Sequence, residues 1–479
     1  GLVGSEMCIR DRLEKNASLE GQQSKVRILG KMVSGKKSEQ VSVPDKGTTI
    51  IAKVKPSLKE RGNNGARRKE YFNLETCHHD IYPDAAEFKV EEGKKIRTTD
   101  CIRYEFIPPR FIKHIYHQHY YACKGTVYAG SLPAVPLLNS NYDASFIAGI
   151  LQLRYIYSMP VERIIKLFAE HGFEMNKATA HGLIKKAAGL FDLVEDVLKE
   201  TVLSDNYLSM DESYYTVLTS DTNNSSGKST AKGYIWAALA NHLKLVHFFY
   251  ENGSRSRKVL TGYLREDYRG AIQSDGLGNY KIIEKEAYPD AIRLSCFQHC
   301  KRKFLNITGN KDAEKIVRII NRLYQNEHRI PPDWTACQIL DYRNKYAPPI
   351  LKELKEELIN IKNKKSTLPK SELSKAINYT LNEYDALCNY IRSADYAPDN
   401  NAIERLMRYI SLSRRNSLFC GSHQGAKRAA LIYSLACSCR LNNINSFEYF
   451  KDLLTKLIDI NPNTDHETIR NLLPHKWQR

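Results

Sequence analysis

No stretch of the chain approaches the roughly 20 apolar residues of a membrane-spanning helix, which excludes a helical membrane protein. No apolar segment follows a basic start, so no secretory leader is read. The 11 cysteines are odd in number and scattered through 479 residues, which excludes a disulfide scaffold and fits free thiols in a reducing compartment. Internal repeats and low-complexity blocks are missing as well. Acidic residues are the scarcer charge: 54 Asp and Glu stand against 72 Lys and Arg, a net charge of +18. Such an excess favours a polyanionic partner, because cations that neutralise phosphates release counterions. What remains is ordinary globular composition, with 42% hydrophobic and 26% charged residues, long enough for two or three domains.

Composition shifts along the chain divide it. Residues 1–12 do not resemble the remainder of the chain and are set apart from the fold. Residues 13–70 are polar, basic and poor in aromatics, as in Lys36-Lys37 and Arg67-Arg68-Lys69, so 1–70 reads as a disordered basic segment. Residues 71–130 are rich in aromatics, His and Cys. Alternation predicts strands over 102–107 and 111–120, with Pro108-Pro109 as the turn. Residues 143–200 have helical periodicity. Ile147, Ile150 and Leu151 begin one helix, Pro160 opens a second, and Asn176 starts a third that carries Leu183, Ile184 and Ala187 on one face. A DNA-binding helix-turn-helix and a plain helical region both fit this pattern.

From 203 to 300 the expected order is three meandering strands, helix, strand, helix, strand, an α/β arrangement. Most of the chain from His299 to Lys456 reads as helix.

Asp211 follows the apolar run Leu208-Ser209-Met210 and is expected at the end of that strand; Asp275 follows Ala271-Ile272 in the same way. Carboxylates at strand ends of an α/β sheet face the crevice where ligands bind, and two close together call for a divalent cation. Glu212, next to Asp211, is expected to face away if the strand continues. Glu404 lies on a helix with Ile403, Leu406, Met407 and Ile410 as its apolar stripe and Asp399 as the expected N-cap. Glu404, Arg408, Ser411 and Arg415 share one face of it. A carboxylate backed by arginines suits a metal site beside a phosphate backbone.

Residues 398–441 read Pro-Asp-Asn-Asn-Ala-Ile-Glu-Arg, then Ser-Arg-Arg-Asn-Ser-Leu-Phe-Cys-Gly-Ser, then Gly-Ala-Lys-Arg-Ala-Ala-Leu-Ile-Tyr-Ser-Leu, and end in Arg-Leu-Asn. This block closely resembles the end of the catalytic domain of insertion sequence 66 family transposases. Upstream, Met210-Asp211-Glu212-Ser213, Gly233-Tyr234-Ile235-Trp236, Ser254-Arg255-Ser256, Gln273-Ser274-Asp275-Gly276 and Cys296-Phe297-Gln298-His299-Cys300-Lys301-Arg302-Lys303-Phe304 occur in that family's order, and Leu472-Leu473-Pro474-His475-Lys476-Trp477 resembles its closing motif. The resemblance spans roughly residues 100–479.

It implies a DDE transposase: a ribonuclease-H-like catalytic core over 203–441 and a C-terminal helical tail over 442–479. The separation of 129 positions from Asp275 to Glu404 implies a helical insertion at about 305–392. The family's metal-binding acids fall on Asp211, Asp275 and Glu404, with two Mg²⁺ (or Mn²⁺) expected per active site. A supporting role is implied for His299. Arg408, Arg414 and Arg415 are expected on the DNA backbone.

The implied partners are double-stranded element ends and target DNA, a homo-oligomer on DNA, and small accessory proteins of the element, with no membrane. The implied location is the cytoplasm, with the nucleoid. A structure-specific endonuclease of the same fold and an inactive DNA-binding derivative are the competing readings.

Members of the family usually carry a zinc module ahead of the core. Here 71–130 holds Cys77, His79, Cys101 and Cys123 without the second cysteine of the last knuckle; His114, His117 and His119 could complete a ligand set only irregularly. The module is expected to be degenerate and zinc is not expected.

Overall fold

The computed structural model describes residues 110–123, 126–138, 140–218, 230–281, 288–461 and 463–478. All of them fall in the second, Tyr104–Arg479, of the two units into which the chain divides. The basic segment 1–70, the strand expected over 102–107, Cys77, His79 and Cys101, and the thiol of Cys123 lie outside the described residues.

A two-stranded antiparallel ribbon comes first, β1 (Tyr120–Cys123) with β2 (Thr126–Ala129). The strand expected over 111–120 is not formed; residues 111–119 have no regular structure. Phe111 instead packs against Phe146, Phe168 and Phe173, with ring centroids 4.8–5.9 Å apart, so its side chain serves a tertiary cluster rather than a ladder.

Helix α1 (Ala144–Leu151) is capped by Asp143, whose carboxylate accepts the Phe146 N–H, and runs into a π-helical turn over Gln152–Ile156. Pro160 opens α2 (Val161–Glu170), where its missing N–H costs nothing. Gly172, at φ 81°, turns the chain, and Asn176 caps α3 (Lys177–Leu203) through the Thr179 N–H. Leu183, Ile184 and Ala187 are buried on α3.

The central sheet has five strands in the order β5-β4-β3-β6-β7. β3 (Tyr207–Leu218), β4 (Thr230–Ala240) and β5 (Leu245–Phe249) form an antiparallel meander. After α4 (Arg257–Tyr263), β6 (Ala271–Gln273) joins β3 in parallel, and β7 (Ile292–Leu294) joins β6 in parallel. β5 is buried along its whole length because both its faces are covered, and its one polar side chain, His247, meets Tyr263 Oη at 3.0 Å. Trp236, Phe248 and Tyr433 are fully buried, each worth about 1.5–3 kcal/mol in surface removed from water.

Helices fill the remainder: α5 (Phe297–Leu305), α6 (Lys311–His328), α7 (Ala336–Lys362), α8 (Glu372–Asn382), α9 (Tyr384–Cys388), α10 (Asn401–Ser417), α11 (His423–Leu441), α12 (Ser446–Lys456) and α13 (His466–Arg470). No described helix is long and apolar enough to cross a membrane.

Two side-chain devices fix the edges of the sheet. On α11, the hydroxyls of Ser434 and Ser438 accept the Phe248 and Val246 N–H groups of β5 at 2.7 and 3.0 Å. At the far edge, Asn389 donates to the Arg293 carbonyl of β7 at 2.9 Å. The buried Glu383, between α8 and α9, meets Arg293 at 2.7 Å, Ser295 at 3.0 Å and Lys281 at 3.3 Å.

Candidate active site

The last parallel pair between β3 and β6 is Ser209 with Gln273. Asp211 lies two residues beyond Ser209 and Asp275 two residues beyond Gln273, so both stand just past the parallel ladder. Asp211 is not at the end of its strand: of the two courses open to residues 212–218, continuing the strand or pairing back, the chain takes the first. β3 runs on to Leu218 because β4 pairs with it throughout, and Asp211 faces Ala237 across that pairing. Its crevice comes from the shortness of β6 rather than from an end of β3. Asp275 Oδ1 accepts the Leu277 N–H at 2.9 Å, which turns the chain away.

Gly276 is required by space alone. Its φ is not among the positive ones, but a Cβ there would lie 2.3 Å from Tyr379 Oη and 2.6 Å from two ring carbons. The Gly276 N–H donates to the same Oη at 3.1 Å, and Lys303 Nζ lies 4.2 Å from the ring centroid.

The third carboxylate arrives on α10. Its N-cap is Asn400, without a side-chain cap, and not Asp399, whose carboxylate instead accepts from the backbone and side-chain nitrogens of Asn401. The Asn400 side chain reaches across to β3 instead. Its Nδ2 donates to the Met210 carbonyl at 2.9 Å, and its backbone N–H to Cys296 Sγ at 3.3 Å. The first turn of α10 is thus tied to the residue before Asp211, and Glu404 follows one turn later. Gln273 Nε2 holds the Ala397 carbonyl at 3.0 Å, so the chain leading into α10 is fastened to β6 too.

Asp211 feels the charges of both other acids. Burial raises the pKa of Asp211 well above the carboxylate range, and repulsion from Glu212, Asp275 and Glu404 raises it further. Glu212 is also raised, by burial and by Asp275, against the pull of Arg255. The alternation of β3 puts Glu212 beside Trp236 on the opposite face. There its buried carboxylate accepts from Arg255 at 2.6 Å and from Tyr280 Oη at 3.0 Å.

Glu404 has two environments. One oxygen takes a hydrogen bond from Arg302 at 2.6 Å. The other, buried and without a hydrogen bond, faces the equally unsatisfied Nδ1 of His299 at 3.7 Å. Cys296, His299 and Glu404 offer ligand atoms all within 4.8 Å of one another. Burial pushes the Cys296 thiol up to about 12, so it sits there as an uncharged acceptor for Asn400. Cys300 is buried apart from this group, its thiol also raised to about 12 by burial.

Residues 139–428, more than half of the chain, match the family described as Transposase IS66 family. The chain belongs to this family.

Three curated relatives come from Sinorhizobium fredii (strain NBRC 101917 / NGR234). The uncharacterized protein y4jD is 26% identical over 74% of this chain and 70% of its own length. Uncharacterized proteins y4hP and y4qI are each 24% identical, over 70% and 77% of this chain and 62% and 69% of their own lengths. IS66 family membership carries a transposase role, and with it action on DNA.

The three arginines of this IS66 family member are placed differently from one another. Arg408 and Arg415 are exposed on α10 and form no ion pair among the described residues. Arg414 points back to β3: it donates to Ser213 Oγ at 3.0 Å and the Tyr214 carbonyl at 2.8 Å, and its guanidinium lies 3.6 Å from the Tyr214 ring centroid.

Arg302, Arg255, Tyr280, Asn400 and Tyr379 were not singled out from the sequence. For Arg302 a signal existed, since Cys296, His299 and Arg302 recur every three residues along one face of a helix. Arg255 and Asn400 lie within quoted motifs but were given no role, while Tyr280 and Tyr379 act across the fold and leave no local pattern.

Proposed function

We propose that the chain is a DDE transposase that nicks DNA at the ends of an insertion sequence and joins the freed end to target DNA, with Asp211, Asp275 and Glu404 as its metal-binding acids. The observation that carries the reading is the level placement of Asp211 and Asp275 just past the last parallel pair, with Glu404 delivered beside them by a helix tied to Met210. The sheet supports a ribonuclease-H-like core: three antiparallel strands in a meander, then two parallel strands added beside the first. Under this reading the helices α6 to α9 are an insertion between β7 and the helix bearing Glu404.

The donor set fits a hard divalent cation. All three ligands are carboxylates, which Mg²⁺ or Mn²⁺ accepts readily. Asp211 is held proton-loving by burial and by the charges of Glu212, Asp275 and Glu404, and one oxygen of Glu404 is buried without a partner. Bound Mg²⁺ supplies a lowered pKa for the attacking hydroxyl and charge neutralisation at the leaving 3′-oxygen. The protein's own groups do the positioning. Arg302 fixes the rotamer of Glu404, Asn400 sets the height of α10, and the Asp275 turn is wedged against Tyr379. Exposed Arg408 and Arg415 neutralise backbone phosphates without reading bases. Arg414 positions β3 against α10 rather than touching DNA.

The test is cleavage and strand transfer on the flanking element end with Mg²⁺. Asp211→Asn, Asp275→Asn and Glu404→Gln each keep the side-chain shape and should abolish nicking with duplex binding retained. Near wild-type nicking in any one of them removes that residue from the site. Nicking without strand transfer in the unaltered chain favours the endonuclease reading.

A further inference from the structure

Helix α10 ends in an unusual way. Leu418, its C-cap, has φ 53° and ψ −50°, a conformation that a bulky L-residue avoids. The backbone is forced there from both sides. The Leu418 N–H still closes the helix on the Arg414 carbonyl at 3.0 Å. Two residues later Cys420 is paired to β3, its N–H to the Thr216 carbonyl at 2.7 Å and its carbonyl to the Leu218 N–H at 2.8 Å. Between these two clamps the chain presents Leu418 and Phe419 outward, 70% and 48% exposed. Strain that holds two large apolar side chains in water does nothing for the core, and such strain concentrates at sites of function.

The surroundings are cationic. Arg415 is exposed in the preceding turn. The Tyr214 ring beside Arg414 also carries Lys232 Nζ at 4.8 Å from its centroid. Phosphates would be held around an apolar tip, the pattern by which proteins push Leu or Phe between base steps.

Two rulers give its distance from the acids. Along α10 from Glu404 to Leu418, at ~1.5 Å per residue, the path is about 21 Å. Along β3 from Asp211 to Val217, the residue bridged to Cys420, at ~3.3 Å per residue, it is about 20 Å. At ~3.4 Å per base pair, this equals about six base pairs of duplex.

We propose that Leu418 and Phe419 form an apolar wedge that enters the base stack of the bound duplex about six base pairs from the cleaved bond, which rests on the reading of Asp211, Asp275 and Glu404 as the cleavage centre. A wedge unstacks one step, so the favoured DNA carries an easily kinked pyrimidine–purine step at that distance.

The experiment uses the full chain, duplexes of the flanking element end, and a single 2-aminopurine moved along the sequence, with Ca²⁺ replacing Mg²⁺ so that binding is read alone. The fluorescence rise that reports unstacking should peak about five to seven base pairs from the cleaved bond. In Leu418→Ala/Phe419→Ala the peak should vanish and affinity fall about 5- to 160-fold, the range of lost base stacking. Its melting temperature should not fall, since both side chains are exposed. Leu418→Gly should melt higher than wild type, because glycine tolerates the positive φ.

A wild-type chain that nicks the same duplex in Mg²⁺ with flat fluorescence refutes the wedge and leaves the cleavage reading standing. A chain that unstacks a base at this distance from the element terminus yet never nicks refutes the cleavage reading and leaves the wedge. Self-association without DNA that disappears in the double variant assigns the tip to a second copy of the chain and overturns the proposal.

Discussion

Gly276→Ala tests the site at its tightest point. The added methyl would meet Tyr379 Oη at 2.3 Å and two ring carbons at 2.6 Å, distances that real carbon atoms do not adopt. The ring cannot swing aside cheaply, because its hydroxyl holds the Gly276 N–H at 3.1 Å and Lys303 lies over its face. Either the ring or the Asp275 turn must move. Overpacking of this kind costs about 1–3 kcal/mol, which should lower the melting temperature by a few degrees. The functional loss should be larger. A displacement of about 1 Å at a reacting centre costs on the order of 100-fold in rate, and Asp275 is the adjacent residue.

Tyr379→Ala removes the obstacle, so the two substitutions should couple. The double variant should be more stable and more active than the sum of the single effects predicts, with a coupling above about 0.5 kcal/mol. Thermal melts and single-turnover nicking on the element end, run across the four-protein cycle, measure both quantities. Additive effects in stability and in rate would refute the steric argument, as would wild-type nicking by Gly276→Ala.

Asp211 is held above its ordinary pKa, so the folded chain binds that proton more tightly than the unfolded chain does. Its stabilising contribution is full below the unfolded value of about 3.9 and is lost as pH rises through the raised folded value. In chelator at neutral pH, Asp211→Asn should therefore melt above wild type, and Mg²⁺ should narrow the gap; a variant that melts lower in chelator contradicts the repulsion. Arg408→Ala and Arg415→Ala should each reduce the magnitude of the log–log salt slope of DNA binding by about 1 at unchanged melting temperature, whereas Arg414→Ala should lower the melting temperature and leave the slope alone. Glu383→Leu removes the buried carboxylate that Arg293, Ser295 and Lys281 share and should lower the urea midpoint; an unchanged midpoint would show that β7 does not depend on it.

The meander and the two parallel strands were legible because their signals are local. Apolar runs such as Tyr234–Leu239 and Leu245–Tyr250 mark buried strands wherever they occur. The exceptions arise where a partner elsewhere in the chain decides. Asp211 looks like the end of a strand until β4 is seen to pair beyond it. Asp399 is as good a cap as Asn400 by composition, but Asn400 is the residue in reach of Met210 and Cys296. Phe111 alternates like a strand residue and is taken by three phenylalanines from α1, α2 and the turn after α2. For Arg414, helical phase put it near the face of Glu404, but not its reach back to Tyr214. Glu212 was expected to face away from the crevice; its carboxylate is held by Arg255 and Tyr280, while its charge is still felt at Asp211. Its burial against Arg255 and Tyr280 could not be read from alternation, because those partners lie 43 and 68 residues away in sequence.

The serines of α11 have a consequence for how copies of this chain can meet. An outermost strand normally offers a row of bare N–H and carbonyl groups, onto which another chain can add a strand. On β5 the outward N–H groups of Val246 and Phe248 are already taken by hydroxyls one helical turn apart, so a helix stands where a sixth strand would otherwise dock. At the other rim, Asn389 occupies the Arg293 carbonyl and the Ser295 N–H donates to the Ala386 carbonyl. Among the described residues, the outer edges of β5 and β7 are thus engaged by the chain's own helices. An assembly that met at β5 or β7 would then be built from side-chain surfaces, which can be taken apart again, rather than from a shared backbone ladder, which would tend to grow.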